Sequence, residues 1–477
     1  MRSRPFLKTS LFVLAAVSAA GPVLAEERVR LAQRWTPLTG ILSEGEEAPV
    51  RASKPADAAK SADKPATEVQ KPAAETSTAS ATKTQTLNVT LSRTDGQTHG
   101  SLGVRTAAVD ADLASALSIP EHGALVTEAS SAAAAQGGLK AGDVILKFAG
   151  RDVKSVDALS TELQATSPDQ TVSIEVWREG EGTSDLKRFL VERSNAGNVA
   201  ASASLGRLLS LGLVFGPKNF GEAATYYLKA AEAGHLASMT RYALFAKDGI
   251  GLAKDEALAA TWFQKAADGG QEAAMTNLGS LYETGRGVKQ DDVEAARWYR
   301  RAVDKGHVFA MHRLALLYET GRGVPKDDQE AVKLLETASE NGLSEATSWL
   351  ADKYEQGRGI AKNDAEAARL NRRAAEQVRR AADLGNAVAT FNLGILYRIG
   401  KGVTKNDTEA AYWVVRSLKL GDKYLVAELM RNPNVLSVDD RKWMQEVLRE
   451  EGAYKGPIDG SFTPDVRTAM EDLAKRA

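Results

Sequence analysis

A short glycine-flanked pattern returns at a fixed interval through the middle of this 477-residue chain, and the interval restricts the fold more than any other feature. Leu278-Gly279, Leu314-Ala315 and Leu350-Ala351 are spaced by 36 residues, as are Gly251, Gly287, Gly323 and Gly359. The next copies, Leu393-Gly394 and Gly402, arrive after 43. The surplus of seven falls within Asn371 to Arg380, a helical stretch. Seven residues are about two α-helical turns, so the insertion lengthens a helix without rotating its apolar face. Units of this size cannot bury an apolar face alone and must stack on their neighbours.

Each copy reads as helix, Gly-x-Gly loop, helix: Ala274-Met275-x-x-Leu278-Gly279-x-x-Tyr282, then Gly285-Arg286-Gly287-Val288, then Glu294-Ala295-Ala296-x-Trp298-Tyr299-x-x-Ala302. Small residues let two helices approach closely, tyrosines and tryptophans fill what remains, and a loop glycine supplies the left-handed residue that ends the first helix. About six copies span residues 198–422, the first two departing from the loop pattern at Phe215-Gly216-Pro217 and Gly249-Ile250-Gly251-Leu252, as end repeats do. These residues resemble the Sel-one-like repeat family, a relative of the tetratricopeptide repeat. The resemblance implies an all-α superhelical solenoid whose concave wall holds other proteins. His235 and His307 share one repeat position, and no His-Glu-x-x-His is present, so they are read as repeat positions and no metal is expected. Arg286, Arg322 and Arg358 form a periodic row read as a solvated edge.

Ahead of the repeats the texture changes twice. Residues 1–25 have a basic start (Arg2, Arg4, Lys8), an apolar stretch from Leu11 to Ala20 and a small-residue site at Val23-Leu24-Ala25, the pattern of a cleaved export signal; the apolar stretch is about half the length needed to span a bilayer. The expected destination is the periplasm, with no membrane span after cleavage. Residues 26–86 follow as a linker, and between Arg51 and Thr86 Ala, Pro, Thr, Lys and Ser fill 28 of 36 positions, a composition expected to stay disordered.

From 87 to 193, β-type runs such as Ala124-Leu125-Val126-Thr127 and Val172-Ser173-Ile174-Glu175-Val176-Trp177 alternate with helical spacing at Val156, Leu159 and Leu163, the mark of a small α+β domain. Gly138-Leu139-Lys140-Ala141-Gly142-Asp143-Val144-Ile145 and Ser101-Leu102-Gly103-Val104 resemble the PDZ family, most nearly the PDZ domains of secreted bacterial proteases. The resemblance implies that Leu102, Gly103 and Val104 form a loop whose N–H groups bind a C-terminal carboxylate. The strand after it then accepts an extended peptide. Val156, Leu159 and Leu163 would wall the groove against an apolar terminal side chain, and they fit equally well as core residues.

At the other end, residues 437–477 contain Tyr454-Lys455-Gly456-Pro457-Ile458-Asp459-Gly460-Ser461-Phe462, which resembles the loop of the three-helix peptidoglycan-binding domain. Pro457 and Gly460 shape a turn that Asp459 can close and that Phe462 plugs, so Tyr454, Asp459, Gly460 and Phe462 are the candidate wall-binding residues. Thr463, Val466 and Leu473-Ala474 depart from the family's pattern, and a helical cap on the last repeat fits the same residues.

Composition narrows the function. Basic residues number 61 against 62 acidic, so no global field draws nucleic acid. With no cysteine there is no disulfide, thiolate metal site or cysteine nucleophile. No Gly-x-Ser-x-Gly occurs, and no catalytic residues, metal or cofactor are identified. The expectation is a multidomain, non-enzymatic periplasmic scaffold that takes apolar protein C-termini in its PDZ groove, holds envelope proteins on its solenoid and attaches to peptidoglycan. The alternatives are a negative regulator of a membrane sensor and a protease-associated subunit of envelope quality control.

Overall fold

The computed structural model describes residues 83–93, 99–421, 423–431, 433, 436 and 438–475. The expected export signal and the linker as far as residue 82 lie outside them. The described residues fall into two compact bodies, 83–274 with 286–288, and 275–285 with 289–475.

Alternation of side chains sets the sheet that opens the first body. In order along the chain come β1 (Thr84–Thr90), β2 (Ser92–Arg93), β3 (Gly100–Ser101), β4 (Val104–Ala108), α1 (Ala111–Leu117), β5 (Ala124–Ala129) and α2 (Ala132–Gln136). β6 (Val144–Phe148), β7 (Arg151–Asp152), α3 (Val156–Gln164) and β8 (Thr171–Trp177) complete the domain. β8 turns Val172, Ile174 and Val176 inward and Thr171 and Ser173 outward, the period of a strand with one covered face. The sheet runs β1-β8-β6-β5-β4 with antiparallel neighbours, and β7 pairs with β6. Because Thr84 already pairs with Trp177, Thr84–Thr86 are strand, which corrects the expected extent of the linker. Asp110, Ser131 and Ser155 cap α1, α2 and α3 by accepting from backbone N–H groups three residues on.

A helix the sequence reading did not separate from the domain, α4 (Thr183–Asn195), carries the sheet into the repeats. Leu186 and Leu190 are buried, and Phe189 meets Trp177 of β8 with ring centroids 6.0 Å apart. The first two repeats follow as α5 (Val199–Leu211) with α6 (Phe220–Glu232) and α7 (Leu236–Asp248) with α8 (Glu256–Asp268). Next come α9 (Glu272–Thr284) with α10 (Asp292–Asp304), and α11 (Val308–Thr320) with α12 (Asp328–Glu340). The series ends with α13 (Ser344–Gln356) with α14 (Asp364–Asp383), and α15 (Ala387–Ile399) with α16 (Asp407–Lys419). The chain is thus a small β-rich domain followed by a solenoid of paired helices.

The two loop glycines do different work. The first of each pair, such as Gly321 or Gly357, is the left-handed residue at the helix C-terminus. The second lies against the preceding repeat: a Cβ on Gly323 would stand 1.9 Å from the Asp292 carbonyl oxygen, and one on Gly359 2.1 Å from that of Asp328. Only a residue without a side chain lets loop and helix start meet at that distance. The arginine between the glycines completes the contact. Arg322 grips both carboxylate oxygens of Asp292 at 2.6 and 2.9 Å, Arg286 holds Glu256 at 2.6 Å, and Arg358 reaches Glu319 at 3.0 Å. The row read as a solvated edge is therefore a series of clips between repeats: Arg286 and Arg322 face the acidic first turn of an earlier helix, and Arg358 lies between Glu319 at the end of α11 and Asp328 in the first turn of α12, 3.7 Å away.

The expected seven-residue insertion appears as a 20-residue α14 beside partners of 13. Gly402 packs on the Asn371 carbonyl, seven residues beyond the first-turn position that Gly359 meets on α12. The last repeat therefore docks two turns further along its neighbour, about 10 Å.

After the repeats stand α17 (Lys423–Arg431), α18 (Val438–Glu450) and α19 (Pro464–Lys475). Phe391, Ile395, Val414 and Leu418 of the last repeat share one apolar core with Leu425, Leu429, Met444, Leu448, Val466, Met470 and Leu473. These helices seal the end of the solenoid.

Candidate functional site

β4 is the last strand on its side of the sheet, and its outer edge carries no strand partner among the described residues. Its backbone direction follows from β5. Val126 donates to the Asp143 carbonyl and accepts from Gly142 N–H, both at 2.8 Å and both on the β6 side. Thr106, opposite Val126, must turn its own N–H and C=O the other way, toward the open edge. The register skips Thr127, so the extra residue of the bulge belongs to β5. β4 keeps its alternation, and Val104, Thr106 and Ala108 all present backbone groups outward.

α3 lies along this edge with its C-terminal end toward the Ser101–Val104 loop, since Gly100 N–H donates to the Thr166 carbonyl at 2.8 Å. Leu163 is thus at the loop end and Val156 at the far end; both are half-buried against the domain core. They stand seven residues apart on the helix, about 10 Å, against about 7 Å between side chains two apart on one face of an extended chain. Leu159 between them is 3% exposed and belongs to the core, as one turn of a helix against a sheet requires. Leu102 is likewise core at 1% exposure, so its side chain lines no groove and only its backbone can face a ligand. Of the two roles open to Leu159, groove wall or core, it takes the core one, while Leu102 keeps only the backbone role expected of it.

Gly103 has φ +63°, and a Cβ there would stand 1.9 Å from Ser131 Oγ. The loop is closed around it: Gly103 N–H donates to Ser101 Oγ at 3.1 Å, and Ser131 Oγ donates to the Leu102 carbonyl at 3.4 Å. An oxygen acceptor thus already faces the Gly103 N–H, where a carboxylate oxygen would sit.

At the opposite end of β4 the first repeats come into contact with the domain. Arg207 of α5 places Nη2 3.3 Å from the Ala108 carbonyl and Nε 2.6 Å from Asp110 Oδ2. His235, which caps α7 through Ser238, sets Nε2 3.3 Å from Asp112 Oδ1 on α1. That hydrogen bond to Asp112 raises the His235 imidazole above its ordinary value, with burial opposing it. Arg193 of α4 donates to the Ala116 carbonyl at the end of α1 and to Ser118 Oγ. None of these contacts was foreseen; Arg207 and Ala108 are 99 residues apart, and no local pattern links them.

In the C-terminal loop, Tyr454 is buried and its hydroxyl donates to the Pro457 carbonyl at 3.1 Å. Asp459 Oδ1 accepts from Ser461 N–H at 2.7 Å and from Gln445 Nε2 at 3.2 Å, and these bonds, the Ser461 N–H foremost, hold its carboxyl below the usual range. Gly460, with φ +79°, donates to Gln445 Oε1 and accepts from Arg441 Nε, while Phe462 packs partly buried on the shared core. The structure brings all four candidate residues together, with the polar groups of Asp459 and Gly460 engaged within the loop.

A model of the PDZ domain matches residues 100–185. The Sel1 repeat model matches six times, over 199–235, 236–271, 272–307, 308–343, 344–377 and 387–422. The first region is a PDZ domain and the six spans are Sel1 repeats. The chain is similar to a probable periplasmic serine endoprotease DegP-like of Bartonella henselae, 35% identical over 82 residues, covering 17% of this chain and 16% of that protein. A protein of the same description from Chlamydia pneumoniae is 37% identical over 89 residues, covering 18% of each. This chain spans about a sixth of the length of these relatives. Among solved structures, a Sel1 repeat protein from Oxalobacter formigenes is 30% identical over 49% of this chain and 92% of its own, with a TM-score of 0.40. A protective antigen of uropathogenic Escherichia coli with an SLR fold is 25% identical over 57% of this chain and 65% of its own, with a TM-score of 0.38.

Proposed function

We propose that this chain is a non-enzymatic periplasmic scaffold that takes the C-termini of partner proteins on the open edge of β4, while the repeats hold a second protein. The observation that carries the reading is that edge: outward backbone groups at Thr106, a glycine turn with an acceptor before its N–H at one end, and α3 alongside. An extended peptide adds through main-chain hydrogen bonds, and its alternate side chains meet Leu163 and Val156. An apolar residue therefore suits the last position and the third from last. Periplasmic location draws its support from the basic and apolar pattern of residues 1–25. Wall attachment draws on the loop resemblance alone; the core that α18 and α19 share with the last repeat supports a capping role instead.

The test is Thr106→Pro. Proline removes the outward N–H and is tolerated on an edge strand, so the sheet should stay folded while strand addition is blocked. In the full chain, binding of a labelled peptide ending Ala-Val-Ala-Leu, read by fluorescence anisotropy, should fall at least tenfold with thermal unfolding little changed. Undiminished binding by a folded Thr106→Pro chain removes the groove reading.

A further inference from the structure

We infer that the first Sel1 repeat is the end wall of the PDZ groove, with Arg207 stopping strand addition so that only the last four residues of a ligand pair with β4. The inference rests on the groove reading above and adds to it the length of ligand read.

The carboxylate turn precedes β4, so a ligand's C-terminus sits at Val104 and its chain runs back toward Ala108, antiparallel to the strand. β4 presents outward groups at alternate residues. The ligand's last residue therefore lies opposite Val104, the third from last opposite Thr106 and the fifth from last opposite Ala108. At that fifth place the ladder needs the Ala108 carbonyl as acceptor. Arg207 Nη2 is already 3.3 Å from it, and the guanidinium is held there by Asp110 at 2.6 Å. Arg207 stands on a fixed base: α1, whose N-cap is Asp110 itself, packs on α5, and α4 joins the sheet to the same repeat. An incoming N–H must displace a charged donor oriented by an ion pair, so pairing ends one residue earlier and the ligand chain turns away from the sheet.

Two fluorescein-labelled peptides test this in the full chain: Ala-Val-Ala-Leu, and the same four residues preceded by Ser-Ala-Ser-Ala. The wild type should bind both within about twofold. Arg207→Ala frees the Ala108 carbonyl for one more ladder hydrogen bond, and the longer peptide should then bind about fivefold tighter than the shorter. Arg207→Lys keeps a cation for Asp110 but not the second nitrogen that reaches Ala108; it should show the same length dependence, with affinity for the short peptide unchanged. If the wild type gains as much from lengthening as the two variants do, the wall is disproved while the groove stands. If no protein binds the short peptide, the groove reading fails and the wall goes with it.

Discussion

The contact between repeats makes a measurable demand on one glycine and not on its neighbour. Gly323 and Gly342 both have left-handed backbones, φ +66° and +93°. Replacing either by alanine costs about 1–2 kcal/mol for that conformation alone. Around Gly342 a Cβ would meet nothing within 4 Å, so Gly342→Ala should cost no more than that. At Gly323 the new Cβ would stand 1.9 Å from the Asp292 carbonyl oxygen and 2.3 Å from its carbon, about 1.5 Å inside ordinary contact. The obstacle is backbone, which no rotamer change removes. The loop has to lift off the first turn of α10, loosening the Arg322 clip to Asp292 as it does. Overpacking of this kind adds about 1–3 kcal/mol, so Gly323→Ala should lose about 2–5 kcal/mol. Urea unfolding followed by circular dichroism gives both values from the same chain. Equal losses at the two glycines would refute the close-approach argument, because the backbone conformation would then explain everything.

Three further outcomes follow from buried charge. Glu283→Gln should destabilise the second body by about 3–5 kcal/mol in chemical unfolding, since Arg313, 2% exposed, would keep its charge without the carboxylate that faces it, whereas Glu294→Gln, half-buried and paired with the exposed Arg297 of its own helix, should cost at most about 1 kcal/mol. His312 is 4% exposed, both ring nitrogens lack a hydrogen-bond partner among the described residues, and burial followed by the charge of Arg313 lowers its pKa to about 3. The unfolded chain takes up this proton from about pH 6.5 downward and the folded chain does not, so stability should fall by about 1.4 kcal/mol per pH unit below 6.5. His312→Phe, which copies Phe391 two repeats on, should abolish that slope; an unchanged acid slope contradicts the assignment. His235 has the opposite sign: its pKa is raised by Asp112, so its contribution is complete below the ordinary imidazole value of 6.5 and is lost as the pH rises through the raised folded-state value. Unfolding midpoints of the first body should therefore drop more in wild type than in Asp112→Asn between pH 5.5 and 8.5, and matching profiles would dismiss the contact.

What could be read from the chain was what repeats or stays local. The 36-residue interval, the helix pairs and the lengthened α14 are all visible because each unit's pattern refers to its own neighbours in sequence. The Gly-x-Gly loops were only half legible: the first glycine ends its own helix, but the reason for the second lies on another repeat. The arginine between them looked solvated for the same cause, its carboxylate partner being 30 residues away for both Arg286 and Arg322. Helical spacing marked Val156, Leu159 and Leu163 without telling groove from core, since one periodicity serves both; only packing shows that Leu159 is inside. The end of β4 was hidden altogether, because Arg207 reaches Ala108 across a whole domain's length of chain.

Backbone amide hydrogen exchange across residues 104–108, measured in the full chain with and without saturating Ala-Val-Ala-Leu peptide, bears most directly on the central claim. Slowed exchange at Thr106 that appears with the free-carboxylate peptide and not with its C-terminal amide is the predicted result. Peptide binding that leaves Thr106 exchange unaltered, or that protects it equally with the amide, contradicts the account.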